Sequence, residues 1–480
     1  MTRPSIIRRC LIVFLVAGST HLFAQDAHYW SEQFGNKSML LGGTVNASVE
    51  DLGLVFYNPG RLAQIENPAF VISARVYEYV KIHVKDGIGE GQDLQKSSFG
   101  GGPNLVAGTF KLPFLKNHRF AYSFLTRHQY NSNFDVRSEP VEDQNVGGAE
   151  YSDLSAKLRS NNRLQEEWYG LTWSYAPSQK WSFGLSMFGF QNKSNRGLEI
   201  QLQGLRKDMG VSMVNYNREL GFDVFGLVWK AGLAVQLEKI NLGLTITTPK
   251  LNIRGNGSSV YEDFISGVDS LRGEPVDDVY IENFQNNLDA NIKGPWSIGM
   301  GIGFKLGKTN VHVSAEWFDK IGKYTMMEAE PFEGQQPQDT IQIRLVDQLR
   351  SVFNYGIGIE HKFNEKINAY ASIAADYSAV DSDAGFLYEF DDEDIRYSVF
   401  DGDIFHFGGG IALNLKWAEL TVGATFGAAD REITRPLNLG EDVIFDPTET
   451  ATLEYSRWRF LVGFSFPFAN KISQQLEGTN

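Results

Sequence analysis

Residues 296–306 alternate strictly: Trp296, Ile298, Met300, Ile302, Phe304 and Leu306 fall on one face, and Ser297, Gly299, Gly301, Gly303 and Lys305 on the other. A period of two is that of a β-strand, whose successive side chains point to opposite sides. The polarity of the two faces then constrains the fold. A half-buried strand of a soluble protein turns its apolar face to a core and its polar face to water. A strand of a transmembrane barrel turns its apolar face to lipid and its small, polar face to the lumen.

The pattern recurs fourteen times, over 70–85, 103–112, 119–130, 166–176, 180–193, 223–236, 239–250, 295–306, 310–319, 351–363, 366–377, 404–416, 418–428 and 454–468. Most of these segments exceed the about six residues usual in soluble strands and suffice for a tilted span, which takes roughly 9–11. Their connections fall into two sets. Short ones lie at 113–118, 177–179, 237–238, 307–309, 364–365 and Trp417; long ones lie near 86–102, 131–165, 194–222, 251–294, 320–350, 378–403 and 429–453. Short and long alternate throughout. Fourteen antiparallel strands joined in this way place every tight turn and both termini on one side, and every long loop on the other. The expected fold is all-β: a 14-stranded antiparallel transmembrane β-barrel with periplasmic turns, spanning 70–468. Trp168, Trp181, Trp296, Trp317, Trp417 and Trp458 fall near segment ends, where interfacial girdles belong.

Composition agrees. Aromatic residues make up 13% of the chain, too many for a disordered one. Past residue 24 no apolar stretch is long enough to cross a bilayer as a helix, which leaves a closed barrel as the way in. A net charge of −14 removes the basic footprint of a nucleic-acid-binding domain. At the start, Arg3, Arg8 and Arg9 precede or flank an apolar run that ends on Ala24, which reads as a secretory signal peptide over 1–24. The single cysteine, Cys10, falls inside it, so the exported chain has no thiol for a disulfide or a metal. The expected location is a Gram-negative-type outer membrane, with 469–480 as a periplasmic tail.

Residues 25–69 do not alternate. Gly42-Gly43, the Ser48, Glu50, Asp51 cluster and Asn58-Pro59-Gly60 predict short helices joined by turns. A compact stretch at the periplasmic end is well placed to fold into the lumen as a plug, or hatch. A barrel of fourteen strands is too wide for its own side chains to fill. Glycines at 299, 301, 303, 356, 358, 408 and 410 thin its wall further. Asn58, Pro59 and Gly60 are expected to set the turn that seats the plug, because Pro59 fixes φ and Gly60 adopts conformations closed to other residues.

The Gly-rich start, Ser48-Val49-Glu50-Asp51, and Phe56-Tyr57-Asn58-Pro59 ahead of a first strand together resemble the FadL-type family. Thr247-Thr248-Pro249 at the end of the seventh segment looks like the family's Ser/Thr-Pro punctuation. The family pattern is Asn-Pro-Ala, where this chain has Asn58-Pro59-Gly60. The resemblance implies an outer-membrane transporter for long-chain fatty acids or other hydrophobic compounds, the toluene-type transporters included. It also implies a fourteen-stranded barrel closed by an N-terminal hatch. The family's substrate-contacting residues do not match this chain residue by residue.

Several inward-facing polar residues stand out. Arg75 shares a strand face with Ser73, Lys81 and His83, and either attracts an anionic head group or pairs with carboxylates of the hatch, the second being the plainer reading. His312 shares a face with Ser314 and Glu316, and His406 with Gly408 and Gly410; together with Asp376 they suit a lumen hydrogen-bond network. Catalytic chemistry finds no purchase. Gly307-Lys308-Thr309 lacks the upstream glycine of a P-loop, having Ile302 there. The histidines are scattered singly, without metal-ligand spacing. Asp381-Ser382-Asp383-Ala384-Gly385 begins like a calcium loop, but Gly385 stands at a ligand position and Phe386 where the glycine belongs. A solvated acidic loop is the expectation, with no enzyme activity, cofactor or metal.

The function expected is passive uptake of hydrophobic molecules such as fatty acids, gated by the hatch. Phe264, Ile265, Phe386, Leu387, Tyr388 and Phe390 are the candidates for capturing ligand from outside. Partners would be those small molecules and outer-membrane lipid. The alternative is a non-transporting FadL-like subunit of envelope secretion or assembly machinery, holding protein partners.

Overall fold

The structure, a computed structural model, describes residues 27–466 apart from 49, 66–69, 88, 139, 147–148, 272–273, 276, 337–338, 382–393, 399–400, 416–417 and 436–448. The expected signal peptide (1–24), the tail (469–480), Trp417, Phe386, Leu387, Tyr388 and Phe390 lie outside the described residues.

Fourteen antiparallel strands close into one barrel. They are β1 (Phe70–Lys85), β2 (Leu94–Phe110), β3 (His118–Arg137), β4 (Ala149–Tyr175), β5 (Trp181–Arg206) and β6 (Val211–Gln236). β7 runs Ile240–Thr247 and resumes as Leu251–Ser266, and β8 is likewise split into Val279–Leu288 and Ser297–Leu306. The rest are β9 (Thr309–Phe318), β10 (Val352–Lys362), β11 (Ile367–Asp376), β12 (Ile404–Asn414), β13 (Glu419–Thr434) and β14 (Thr450–Phe466). Each pairs with its neighbours in sequence, and β1 pairs with β14 from Phe70↔Phe466 to Lys85↔Thr452, which closes the ring.

Burial follows the barrel rule rather than the soluble one. On β8, Ile298, Met300, Ile302 and Phe304 are exposed, while Ser297, Gly299, Gly301 and Gly303 are buried. Leu171, Leu185, Leu244, Ile357, Phe407 and Val422 extend the same outward apolar belt around the ring. A contiguous apolar surface of that extent is stable only against lipid. Trp181, Trp296, Trp317 and Trp458 lie on this outer surface, whereas Trp168 is buried inside and is no part of a girdle.

Strands β4, β5 and β6 run well past the belt, and their alternation inverts as they do. On β5, Phe183, Leu185 and Met187 face out; beyond Lys193 the apolar residues Leu198, Ile200 and Leu202 face in, with Glu199, Gln201 and Gln203 between them. β4 inverts in the same way between Tyr169 and Leu158. The inversion places the lipid boundary: outward positions are apolar where lipid is the solvent and polar where water is. Residues 194–222, expected as a long loop, are therefore mostly strand, turned at 207–210. The connection 319–351 carries a small sheet, in which Ile321–Glu328 pairs with Arg344–Leu349 and the latter with Asp394–Arg396.

Residues 27–65 pack against the inward faces of the wall. They include α1 (Asn36–Leu40), α2 (Leu54–Tyr57) and a 3-10 helix, Pro59–Ala63. Gly35, ahead of α1, has no side chain to cap it, and Asp51 does so instead, accepting from the Lys37 and Ser38 N–H groups at 2.8 and 3.0 Å. The wall glycines make room for this segment. A Cβ at Gly301 would lie 2.8 Å from the Ala47 nitrogen, at Gly303 2.6 Å from Ser48, at Gly358 2.7 Å from Thr44, and at Gly408 2.8 Å from the Leu40 oxygen.

Among the described residues the wall is interrupted in two places. β2 and β3 pair only from Leu105↔Leu125 to Phe110↔Phe120; beyond that, Leu94–Asn104 pairs with β1 alone and Thr126–Arg137 with β4 alone. The second break sets 248–250 of β7 opposite 289–296 of β8, where Pro249 and Pro295 have no N–H to donate. This one is covered from within, by an Ala290↔Met327 bridge to the small sheet and by Lys293 N–H donating to the Tyr324 hydroxyl at 3.0 Å.

Candidate functional site

Asn58 is fully buried and organises its surroundings. Its Nδ2 donates to the Asn46 and Leu233 carbonyls at 2.9 and 3.0 Å, and its Oδ1 accepts from Gly60 N–H at 3.0 Å. Pro59 opens the 3-10 helix, where a missing N–H costs nothing. Gly60 is not in the left-handed region; a Cβ there would lie 2.9 Å from the Gly232 oxygen, so contact rather than φ demands glycine. The wall answers with its own glycines: a Cβ at Gly184 would meet Pro59 at 2.3 Å, and one at Gly232 would meet Asn58 at 2.2 Å. Gly184→Val is accordingly expected to push 58–60 off the wall while sparing the strand ladder, and limited proteolysis of the purified barrel should then cleave within 27–65.

The structure places Arg75, His312, Glu316, Asp376 and His406 on inward faces, and the first four touch the N-terminal segment. The Ser48 hydroxyl and His312 Nδ1 are 2.6 Å apart. Trp30 donates its indole N–H to Glu316 at 2.9 Å and its backbone N–H to Asp376 at 3.0 Å. His406 lies 3.6 Å from Asp376. His28, buried beside them in the segment, is held down to about 4 by burial and so stays neutral. Arg75 belongs to a larger cluster that the sequence reading missed. The Glu32 carboxylate, 3% exposed, receives Arg75 at 3.2 Å, Arg457 at 3.0 Å and Arg459 at 2.5 Å, and Glu78 receives Arg75 and Arg459 at 2.9 Å each. One carboxylate of the segment thus ties three arginines at the β1–β14 seam.

Above the segment lies a cavity of about 110 Å³. Phe56 and Trp168 form its apolar side, with Arg127 and Lys230 against them: the guanidinium is 5.4 Å from the Phe56 ring centre and the Lys230 ammonium 4.7 Å. Arg127 keeps the inward phase of Ala121, Ser123 and Leu125, and as the extra residue of a β-bulge between Thr126↔Glu167 and His128↔Glu166 it is followed by His128 on the same side. Across the cavity Lys250 pairs with Glu166 at 2.7 Å, and Glu166 also accepts from Trp168 at 2.7 Å. A second cavity, of about 150 Å³, is lined by Ser98, Phe99 and Gly100 of β2 and by Gln129 and Tyr130 of β3, the stretches where those strands part. His128 and Leu164 line both cavities. Of the expected capture residues, Ile265 is buried and Phe264 packs edge-on to Tyr280, both within β7. Among the described residues no group of three His, Cys, Asp or Glu side chains is placed to hold a metal ion.

No protein-family model and no curated protein matches the chain. Solved structures do match its fold. A deletion variant of TodX, a monoaromatic hydrocarbon channel, aligns with a TM-score of 0.62 at 15% identity over 92% of this chain and 100% of that one. The Pseudomonas putida toluene transporter TodX aligns at 0.59 and 14% identity over 91% and 99%. A FadL homologue of Pseudomonas aeruginosa aligns at 0.55 and 11% identity over 93% and 100%. The fold of the chain is that of the FadL-type outer-membrane channels.

Proposed function

We propose that the protein is a passive outer-membrane channel for hydrophobic molecules, with the segment 25–69 as a plug that blocks the straight route along the lumen. Cargo enters from the loop side, rests in the cavity beside Phe56, passes His128 and Leu164, and leaves sideways between β2 and β3 into the membrane. The observation that carries this reading is the sharing of His128 and Leu164 by two cavities, the second of which lies where the β2–β3 ladder stops. Support also comes from the solved channels of the same fold, whose cargoes are monoaromatic hydrocarbons and toluene. An engineered cavity of about 150 Å³ holds benzene, so the first cavity suits one ring or a few methylenes; a long-chain fatty acid must thread both. The sideways route lets an apolar solute avoid water, and it needs no energy source.

Filling the junction tests the path. Leu164→Trp adds an indole where the cavities meet and is expected to cut uptake of radiolabelled toluene by cells at least fivefold, with the barrel assembled. Unchanged uptake in an assembled variant overturns the path. If instead the purified protein binds no apolar ligand and co-purifies with envelope proteins, the assembly reading holds.

A further inference from the structure

We infer that the cavity beside Phe56 takes an aromatic carboxylate, its ring against Phe56 and Trp168 and its ionised acid group on Arg127 and Lys230. This rests on the passage role proposed above and names the cargo of the same cavity.

Arg127 is the group that decides. It is 6% exposed. One terminal nitrogen donates to the Tyr29 carbonyl at 2.8 Å, and the guanidinium sits 5.4 and 5.8 Å from the Phe56 and Trp168 ring centres. Its other terminal nitrogen, Nη1, has no hydrogen-bond partner. Aromatic rings satisfy the face of a guanidinium, not the N–H edge. A buried cation without an anion is costly unless something meets it.

Two of the cavity's own carboxylates are committed to other donors. Glu166 holds Lys250 at 2.7 Å, Trp168 at 2.7 Å and Asn192 at 3.1 Å. Glu316 holds Trp30 at 2.9 Å and Ser297 at 2.7 Å, leaving Lys230 at 3.7 Å, beyond a normal hydrogen bond. Lys250 is thus taken by Glu166 and Lys293 is exposed, which leaves Arg127 and Lys230 as the cations that face a ligand. A ligand carboxylate meets both, and its two oxygens match the fork of an arginine. The volume, about 110 Å³, allows a single ring beside the acid group and excludes a long chain. A neutral hydrocarbon fills the same space but leaves Nη1 unmet.

The test uses the full-length protein in detergent and two probes of one shape, benzoate and the neutral isostere nitrobenzene. Benzoate is expected to bind at least tenfold more tightly. Arg127→Met should weaken benzoate at least tenfold and nitrobenzene by less than threefold, with assembly checked by heat-modifiable gel migration. Arg127→Lys should keep part of the preference, and Lys230→Met should lower it by a smaller factor. Nitrobenzene binding as tightly as benzoate, or a benzoate preference that survives Arg127→Met, overturns the assignment while leaving passage intact. Failure of both probes to bind or to cross a membrane holding the protein overturns passage itself.

Discussion

Removing residues 26–57 is expected to leave a barrel that assembles and an outer membrane that leaks. The wall's ladders run strand to strand, and β1 closes on β14 without help from the segment. Inside, Gly301, Gly303, Gly358 and Gly408 each have atoms of the segment close in front of them, from Asn46 and Ala47, Ser48, Leu41 and Thr44, and Leu40 respectively. Once those are gone the lumen takes up water, which also hydrates the arginines that Glu32 held. The measurement is the inhibitory concentration of an antibiotic too bulky for ordinary porins, in cells making either form. A fall of tenfold or more is expected, with heat-modifiable migration showing that the variant barrel is folded. Equal resistance from an assembled variant means that the segment blocks nothing.

Glu32→Gln is expected to loosen the same segment by removing one charge. Three guanidiniums converge on this carboxylate, and Gln neutralises none of them. Breaking a buried ion cluster by deleting one partner costs about 3–5 kcal/mol. Part of the anchorage remains, since the Ser31 carbonyl accepts from Arg457 at 2.6 Å and from Arg459 at 2.9 Å. Hydrogen exchange over 30–41 should therefore accelerate by two orders of magnitude or more, with protection of the barrel strands retained. Lys37 and Glu419 form a simpler pair at 2.7 Å, and Glu419→Gln should change exchange far less. Wild-type protection in Glu32→Gln means that the segment is held by apolar packing of Leu40, Leu52 and Leu54 instead.

Much of this fold is legible in the amino-acid sequence because the lipid-facing half of each strand has one solvent per face. Ile298, Met300 and Ile302 against Gly299 and Gly301 leave no choice of register. The reading stops short on β5 for a physical reason. Above Lys193 the outward side meets water, the apolar residues shift to the inward phase, and a search for one constant phase ends the strand there. The glycines showed where the wall is thin and Asn58-Pro59-Gly60 showed a turn, though contact with Gly232 and not φ explains Gly60. The inward polar residues of short strands, such as His312 and Asp376, could be chosen by face. His128 could not, because the bulge at Arg127 takes it out of the alternation that Ala121, Ser123, Leu125 and Arg127 keep. Neither could Glu32, whose three arginine partners lie 43, 425 and 427 residues away in the chain. Trp168 looked like a girdle residue because periodicity does not say which of two faces a tryptophan at a strand end takes.

The path through the wall can be closed at one point. A Cβ at Gly100, beside the second cavity, meets nothing within 4 Å. The chain's one cysteine, Cys10, stands at the extreme N-terminus, so Gly100→Cys introduces a thiol that a bulky, membrane-permeant maleimide can address. Ile302→Cys, on the lipid face of β8, is the matched control. Uptake of radiolabelled toluene should fall to the level of cells lacking the protein when Gly100→Cys is labelled, and stay unchanged when Ile302→Cys is labelled. Full uptake through labelled Gly100→Cys contradicts release between β2 and β3.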